Sequence, residues 1–389
     1  MQRLLRTVPV APVSTEGVAR FTRSLRAALD GSGPAVSADS APPDGELHVP
    51  ESVALVVRTS GSSGDPRHVM LDADALVASA HATHERLGGP GRWVLALPLQ
   101  HIAGLQVVIR SIVAGTAPAV VGGPGFDPTT AAQALISARR PGTPLYASLV
   151  PTQLHRIVSA ASGAVLPPAL LPWADLDAIL VGGAVTSPAL LDRARAAGLR
   201  VVTTYGMTET AGGCVYDGIP LAGVRVRVDG TVLVAGPVLA RGYLGRPDLD
   251  AAFEDRDGVR WLRTGDLGTL VDGVLHVHGR ADDVIVTGGV KVAPATVERA
   301  LSAVPGVAEV CVVGLPDEEW GQVVTAVVVP ADRAAPPRVA DLFDAVVPTL
   351  GPAAAPRRLV LVDAIAHRGP GKIDRAGALA QAADAAAPA

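Results

Sequence analysis

From Ser52 onward the chain repeats one local pattern, a short Val-rich run, a turn of glycine or polar residues, then a helix. V-A-L-V-V-R-T (53–59) runs into S-G-S-S-G and a helix capped by Asp72 that extends through Ala82. W-V-L-A-L-P-L (93–99) precedes a helix from about Ile102 to Ala114. D-A-I-L-V-G-G-A (177–184) leads to a helix with Ser187 as N-cap, Pro188 at its first position and Gly198 just past its end. R-V-V-T-T-Y-G (200–206) is the next strand. Such alternation predicts a largely parallel sheet with its sites at the C-terminal ends of the strands. Hydrophobic content of 49% with only 3% aromatics makes the core one of Ala, Val and Leu, which suits buried strands.

A chain of 389 residues exceeds what one core usually holds, so two domains are expected. Residues 1–50 form a short N-terminal segment, with one helical pattern (Val18 to Leu29, ending at Gly31) and then a Pro/Ser/Ala-rich linker. After Gly212 short Val-rich strands with D-G and G-R turns run to Val277 and predict a small β subdomain. G-R-A-D-D then precedes a hairpin around Gly288 and Gly289, a helix through Glu298, two strands, a helix near Phe343 and a glycine-flanked loop. The predicted fold is α/β. A large N-terminal domain (1–281) has parallel-rich sheets flanked by helices, and a smaller α+β C-terminal domain (282–389) follows Asp282.

Bulk properties exclude several classes. A net charge of -4 gives no electrostatic footprint for nucleic acid. Cys214 and Cys311 are the only cysteines, so neither a disulfide framework nor a Cys-based zinc site is implied. The N-terminus lacks an apolar stretch of signal length before proline interrupts it, and no apolar run reaches the length of a membrane span. A soluble cytoplasmic protein with no membrane insertion is expected; a homodimer is left open.

Of 33 basic residues only Lys291 and Lys372 are lysines. Where coding bias favours arginine so strongly, a surviving lysine is a candidate for work a wide planar guanidinium cannot do. Lys372 lies in H-R-G-P-G-K-I-D-R, where Gly369, Pro370 and Gly371 suit an exposed loop. T-S-G-S-S-G-D-P-R (59–67) offers four hydroxyls and two glycines in its first six residues, a loop that could cradle a polyphosphate or be an ordinary Ser/Gly turn. It is not a Walker A loop, because G-K-[ST] is absent.

The order of the motifs resolves this ambiguity. The Thr59–Arg67 segment resembles the phosphate loop of the adenylate-forming superfamily of acyl-CoA synthetases, adenylation domains and luciferases. P-L-Q-H-I-A-G (98–104), V-G-G-A (181–184), T-Y-G-M-T-E-T (204–210), R-T-G-D-L (263–267), G-R-A-D-D-V-I (279–285) and G-P-G-K-I-D (369–374) follow in the family's order. The resemblance covers about residue 52 to the end, with an N-terminal part shorter than is usual. One position departs from the pattern: Arg67 stands where the family's loop usually carries lysine. A guanidinium still binds phosphate oxygens, so activity is not put in doubt.

The resemblance implies a two-step reaction, adenylation of a carboxylic acid by ATP and transfer of the acyl group to a thiol. It implies ATP contacts from Thr59, Ser60, Gly61, Ser62, Ser63, Gly64 and Arg67, and from Gly183 and Ala184 along the adenine. Thr204, Tyr205, Gly206 and Met207 complete that set, with Tyr205 packed on the adenine, Asp266 on the ribose hydroxyls and Arg280 holding the nucleotide. Glu209 beside Thr208 would bind Mg²⁺, a hard cation suited to carboxylate and phosphate oxygens. Asp282 would be the hinge about which Lys372 swings in for adenylation. In the alternate state the Gly288–Gly289 hairpin would face the site, with Lys291 on it reaching a CoA phosphate or standing solvated.

His101 occupies the position where the family keeps a ring between acid pocket and thiol tunnel; a structural histidine is the other reading. On the next helix Gln106 and Arg110 are spaced i, i+4 and share one face amid apolar neighbours. A charge on a buried helix needs a partner, either a protein carboxylate or a second anionic group on the substrate. The latter fits o-succinylbenzoate, the menaquinone precursor. Within the family the chain looks most like the short actinobacterial o-succinylbenzoate–CoA ligases, through H-I-A-G-L-Q (101–106) and S-L-V-P-T-Q-L (148–154). The alternatives are a CoA ligase for another aryl or fatty acid, or an adenylation enzyme serving a carrier thiol. A non-catalytic nucleotide-binding relative is disfavoured by intact Glu209, Asp266 and Lys372. The absence of an attachment serine segment after the C-terminal domain predicts a stand-alone ligase.

Overall fold

A computed structural model of the chain describes residues 1–10, 14–39, 47–60, 66–123, 125–367 and 373–386. Its centre is a seven-stranded sheet in the order Ile219–Pro220, Gly212–Tyr216, Val201–Met207, Ala178–Val181, Leu145–Leu149, Arg92–Leu95, Ala119–Val120. The five strands from Val201–Met207 to Ala119–Val120 run parallel, and Gly212–Tyr216 returns antiparallel. Successive residues of these strands feed opposite cores, as the two-residue repeat of a strand requires. Trp93, Leu95, Tyr146 and Leu180 pack on one face; Val94, Ala147, Ile179 and Val181 pack on the other. Burial on both faces explains why these segments read as continuous apolar runs.

Helices Ala73–Leu87 and Ile102–Val113 cover one face, and Pro128–Ala138, Pro151–Ser159 and Pro188–Ala196 cover the other. Ser187 caps the last of these through its hydroxyl, which accepts from the Leu190 N–H at 3.3 Å. The helix beginning at Ala73 runs five residues beyond the Ala82 expected from sequence, to Leu87. Its polar residues Ser79, Thr83 and His84 look like the end of an amphipathic pattern. They are instead buried and paired inside the protein.

The N-terminal segment departs most from expectation. Residues 1–50 hold the helix Thr15–Leu29 and also three strands, Gln2–Thr7, Ala35–Ser37 and His48–Pro50. These join Val53–Ser60, Pro66–Asp72 and Gly242–Tyr243 in a six-stranded sheet. Two of the three are only three residues long, too short for hydrophobic periodicity to distinguish them from a linker. Phe21 and Leu25 are fully buried against Leu55, Leu71 and Leu76, so the segment is part of the main core.

The β subdomain follows as expected, with a sheet of Arg225–Asp229, Thr231–Ala235, Val259–Arg263 and Phe253–Arg256 beside the ribbon Asp266–Val271/Val274–Arg280. The C-terminal part folds around Val307–Asp317 and Gly321–Pro330, joined by Arg358–Leu361 and by the hairpin Ile285–Thr287/Val290–Val292. Helices Pro294–Leu301 and Val339–Leu350 pack on one face of this sheet and Arg375–Ala386 on the other. The buried residues of both C-terminal cores lie between Ile285 and Ala382. The fold is thus α/β, with a larger N-terminal and a smaller C-terminal domain.

Truncating Phe21 to alanine should cost about 3–5 kcal/mol, the range for a buried aromatic whose cavity cannot collapse. Chemical denaturation followed by circular dichroism measures it. A change below about 1 kcal/mol would mean that the N-terminal segment is an appendage and not part of the core.

Candidate active site

Four sequence motifs end up side by side because they terminate four neighbouring parallel strands. P-L-Q-H follows Arg92–Leu95, V-P-T-Q follows Leu145–Leu149, G-G-A follows Ala178–Val181, and T-E-T follows Val201–Met207. Loops at this edge have no further strand to pair with, which makes it the natural binding edge of a parallel sheet. Gln153 ties two of the strand ends together. Its Oε1 accepts from the Val150 N–H at 3.1 Å and its Nε2 donates to the Ala96 carbonyl at 2.9 Å. Gly182 and Gly206 are required by close approach. A Cβ on Gly182 would run into the Thr204 hydroxyl, and one on Gly206 into the Gly212 carbonyl. Gly183 sits at φ +83°, a left-handed conformation that favours glycine. Ala184 follows it, half-buried, as do Thr204 and Met207 on the adjacent strand.

Tyr205 projects from this edge and donates its hydroxyl to Asp266 Oδ2 at 2.7 Å. Burial and the Asp266 charge push the phenol pKa up, so Tyr205 remains a donor. Asp266 opens its strand after Thr264, whose hydroxyl accepts from the Asp266 N–H at 3.1 Å. The other carboxylate oxygen of Asp266 faces Arg280 Nη1 at 3.3 Å, and Arg280 Nη2 reaches Asp282 Oδ2 at 3.2 Å. The three residues expected around the nucleotide therefore form one network, and that network leads directly to the expected hinge.

Glu209 lies in the short turn Thr208–Thr210, with Thr208 buried beside it. Its Oε1 accepts the Tyr243 hydroxyl at 2.8 Å. Tyr243 is held there because Gly242–Tyr243 pairs with Pro66–Asp72, the strand that carries Arg67 away from the phosphate-loop segment. Thr59 and Arg67 face each other across that hairpin, so Glu209, Tyr243 and the stem of the loop converge. Burial and Glu209 raise the Tyr243 pKa, while nearby Arg67 pulls it down. Ser60 closes its strand; Gly61, Ser62, Ser63 and Gly64 lie outside the described residues, as does Lys372. Among the described residues no group of three or more His, Cys, Asp or Glu side chains is placed to hold a metal ion. A single carboxylate suits Mg²⁺, which commonly takes one or two carboxylates with phosphates and water, and not a cation held in an all-protein cage.

His101 is the exposed N-cap residue of the helix Ile102–Val113, so it stands at the same strand edge. Deeper on that helix Gln106 and Arg110 are both buried. Gln106 Nε2 donates to the Ala211 carbonyl, directly after T-E-T, at 2.6 Å. Arg110 Nη2 donates to the Tyr216 hydroxyl at 3.2 Å, and its guanidinium lies 4.8 Å over the Trp93 ring. Tyr216 also shares a hydrogen bond with Thr83 at 2.9 Å. Trp93 donates to His84 Nε2 at 3.2 Å, which marks His84 as neutral there; burial and Arg110 hold its pKa down at about 4. Among the described residues no carboxylate pairs with Arg110, and Arg110 Nε and Gln106 Oε1 are both buried without a hydrogen-bond partner.

On the C-terminal sheet Gly288 and Gly289 both adopt positive φ, at +55° and +79°, and exposed Lys291 follows them. Gly288 is backed by Trp320, whose carbonyl accepts its N–H at 2.9 Å. Asp282 lies in the exposed turn Ala281–Asp283.

Sequence reasoning missed Tyr216 and Tyr243, although a signal was present. The chain has only four tyrosines, and three of them place their hydroxyls on Asp266, Glu209 and Arg110. Scarcity drew attention to the lysines and could have done the same for the tyrosines.

The AMP-binding enzyme family matches residues 10–244, and the AMP-binding enzyme C-terminal domain matches residues 296–372. A probable 2-succinylbenzoate–CoA ligase of Mycobacterium tuberculosis is 45% identical over 91% of this chain and 92% of its own length. A 2-succinylbenzoate–CoA ligase of Enterococcus faecalis is 31% identical over 72% of this chain and 60% of its own. Among solved structures, the o-succinylbenzoate–CoA synthetase of Bacillus subtilis bound to its acyl-adenylate superposes with a TM-score of 0.72 at 26% identity, covering 91% of this chain and 80% of that one. The same enzyme has been solved with ATP and magnesium ion. With both family domains matched in order, the chain belongs to the AMP-binding, adenylate-forming enzymes.

Proposed function

We propose that this protein is an ATP-dependent, AMP-forming 2-succinylbenzoate–CoA ligase of menaquinone biosynthesis. The observation that carries the reading is the 45% identity with the mycobacterial relative over nearly the whole chain, supported by Glu209 and Tyr205 at one strand edge with Asp266 bonded to Tyr205. In the first step a carboxylate oxygen attacks the α-phosphorus of ATP, and the bond to the β-phosphate oxygen breaks, releasing pyrophosphate. In the second, the CoA sulfur attacks the acyl carbonyl, AMP leaves and the thiol proton is lost. Adenylation is needed because oxide is a poor leaving group, whereas AMP is a good one.

The phosphate-loop residues with Arg67, and Lys372 in the closed state, would neutralise charge on the phosphoryl oxygens. Glu209, beside Thr208, would hold Mg²⁺, which when bound screens the phosphates. Gly183, Ala184 and the Thr204–Met207 strand would line the adenine, Asp266 would take the ribose hydroxyls and Arg280 would steady it. His101 would separate acid from thiol, and Gly288, Gly289 and Lys291 would guide CoA. We assign the domain boundary to Asp282, since buried C-terminal core residues begin just beyond it at Ile285. No helix of the described residues is long and apolar enough to cross a membrane. The reading places the enzyme in the cytoplasm with ATP and CoA, and a homodimer is the assembly to test by light scattering.

Replacing Lys372 with alanine should nearly abolish pyrophosphate release while sparing thioester formation from supplied acyl-adenylate. Arginine should rescue poorly, because its fork is wider than an ammonium. Equal loss in both half-reactions would remove the two-state reading. Proline at Asp282 would restrict φ at the hinge, and the two half-reactions should then fall unequally; unchanged rates in both would place the hinge elsewhere.

The buried, acid-free surroundings of Arg110 support its reading of the substrate's second carboxylate. Arg110→Ala should cost about 2–5 kcal/mol, at least tens-fold in affinity for 2-succinylbenzoate, with ATP binding nearly unchanged. Wild type should bind an analogue lacking the ring carboxylate poorly, and the variant should show little preference between the two acids. A variant that keeps the full preference would make Arg110 a structural cation.

A further inference from the structure

Two neighbouring carboxylates in the exposed turn Ala281–Asp283 face different parts of the protein. Asp282 pairs with Arg280, which pairs with Asp266 in the nucleotide network. Asp283 instead pairs with Arg375, the first residue of the C-terminal helix and the third after Lys372. Arg375 Nε meets Asp283 Oδ2 at 3.1 Å, and its Nη1 and Nη2 meet the two oxygens of Glu298 at 2.6 and 3.3 Å. Nη1 also donates to the Val312 carbonyl. One guanidinium thus grips the turn, the helix Pro294–Leu301 and the strand Val307–Asp317 at once. These acids raise its pKa further, so it stays charged.

The described residues on either side of 368–372 are fastened to the same framework. The Asp374 N–H donates to the Ala366 carbonyl at 2.7 Å, His367 and Ile373 form an antiparallel bridge, and His367 Nε2 lies 2.8 Å from Glu309 Oε1. Ile365 is buried with Ala378 and Ala382. His367 and Ile373 are therefore both held on this framework, and Arg375 is the side chain that ties the start of the C-terminal helix to the hinge turn.

We infer that Arg375, through Asp283, is a positioning residue for adenylation: it fixes the start of the helix that follows Lys372 to the hinge turn, so that rotation at Asp282 carries that helix with it. This rests on Lys372 acting in the first half-reaction as proposed above. Stability of the C-terminal core does not account for the Asp283 contact. The turn buries none of its residues, and a partly exposed ion pair adds little to stability. It does add a geometric reference, and small misplacements of a reacting group are costly in rate. A lysine at 375 could not span Asp283 and both oxygens of Glu298, because an ammonium lacks the fork.

The test uses the full chain and measures pyrophosphate release with ATP and 2-succinylbenzoate, then thioester formation from supplied acyl-adenylate and CoA. Asp283→Ala leaves the Glu298 pair intact and guards against misfolding; Arg375→Lys weakens both contacts. Asp283→Ala should lower kcat of adenylation by about ten- to a hundredfold, with KM for ATP and acid, thermal midpoint and the second half-reaction nearly unchanged. Arg375→Lys should act in the same direction. Equal losses in both half-reactions, or full adenylation activity in Asp283→Ala, would overturn the inference. Lys372→Ala separates the two levels. If it abolishes adenylation while Asp283→Ala does nothing, only the positioning role fails. If it spares adenylation, the underlying assignment of the lysine falls as well.

Discussion

Everything at the candidate site depends on the parallel pairing of Arg92–Leu95, Leu145–Leu149, Ala178–Val181 and Val201–Met207. The first three are buried along almost their whole length, so their side chains are committed to packing; Val201–Met207 is only half-buried beyond Val201 and carries Tyr205 to the edge. Chemistry is left to the loops at their C-terminal edge, where four segments far apart in sequence become neighbours. Gly182 and Gly206 let the Thr204 and Gly212 backbones close in, and Gln153 bridges two strand ends. The rigidity of the sheet is what makes that edge a defined surface for a nucleotide.

The polar interior follows from the same packing. A core built almost without aromatics uses three of its four tyrosines as hydrogen-bond partners for a carboxylate or a guanidinium. Tyr205 and Tyr243 donate to Asp266 and Glu209, fixing each carboxylate in place. Arg110 is the converse: a guanidinium held by a hydroxyl and an indole, with no acid beside it among the described residues. Burying a charge without its counter-ion is expensive, which supports the proposal that the anion arrives with the substrate.

The turn Ala281–Asp283 joins these arrangements to the C-terminal part. Asp282 belongs to the Arg280–Asp266 network and Asp283 to the Arg375–Glu298 network. With the hinge proposed at Asp282, one residue step would separate the network on the nucleotide side from the one on the lysine side, and rotation there would leave both networks intact.

Much of this was legible in the sequence. Strand and helix alternation specified the parallel sheet, since the two-residue and 3.6-residue repeats are local properties. Seven short motifs in order identified the family and nominated Glu209, Asp266, Arg280 and Lys372. What sequence could not show was pairing between distant segments. The strands Ala35–Ser37 and His48–Pro50 are too short to carry a pattern and exist because Gln2–Thr7 lies between them. Thr83 and His84 resemble a helix end until Tyr216 and Trp93 arrive to pair with them. Tyr243 becomes a partner of Glu209 only because its two-residue strand docks on Pro66–Asp72. Local periodicity is written into the chain residue by residue, whereas the partner of a buried polar group is chosen by whatever the folded chain brings within hydrogen-bonding distance.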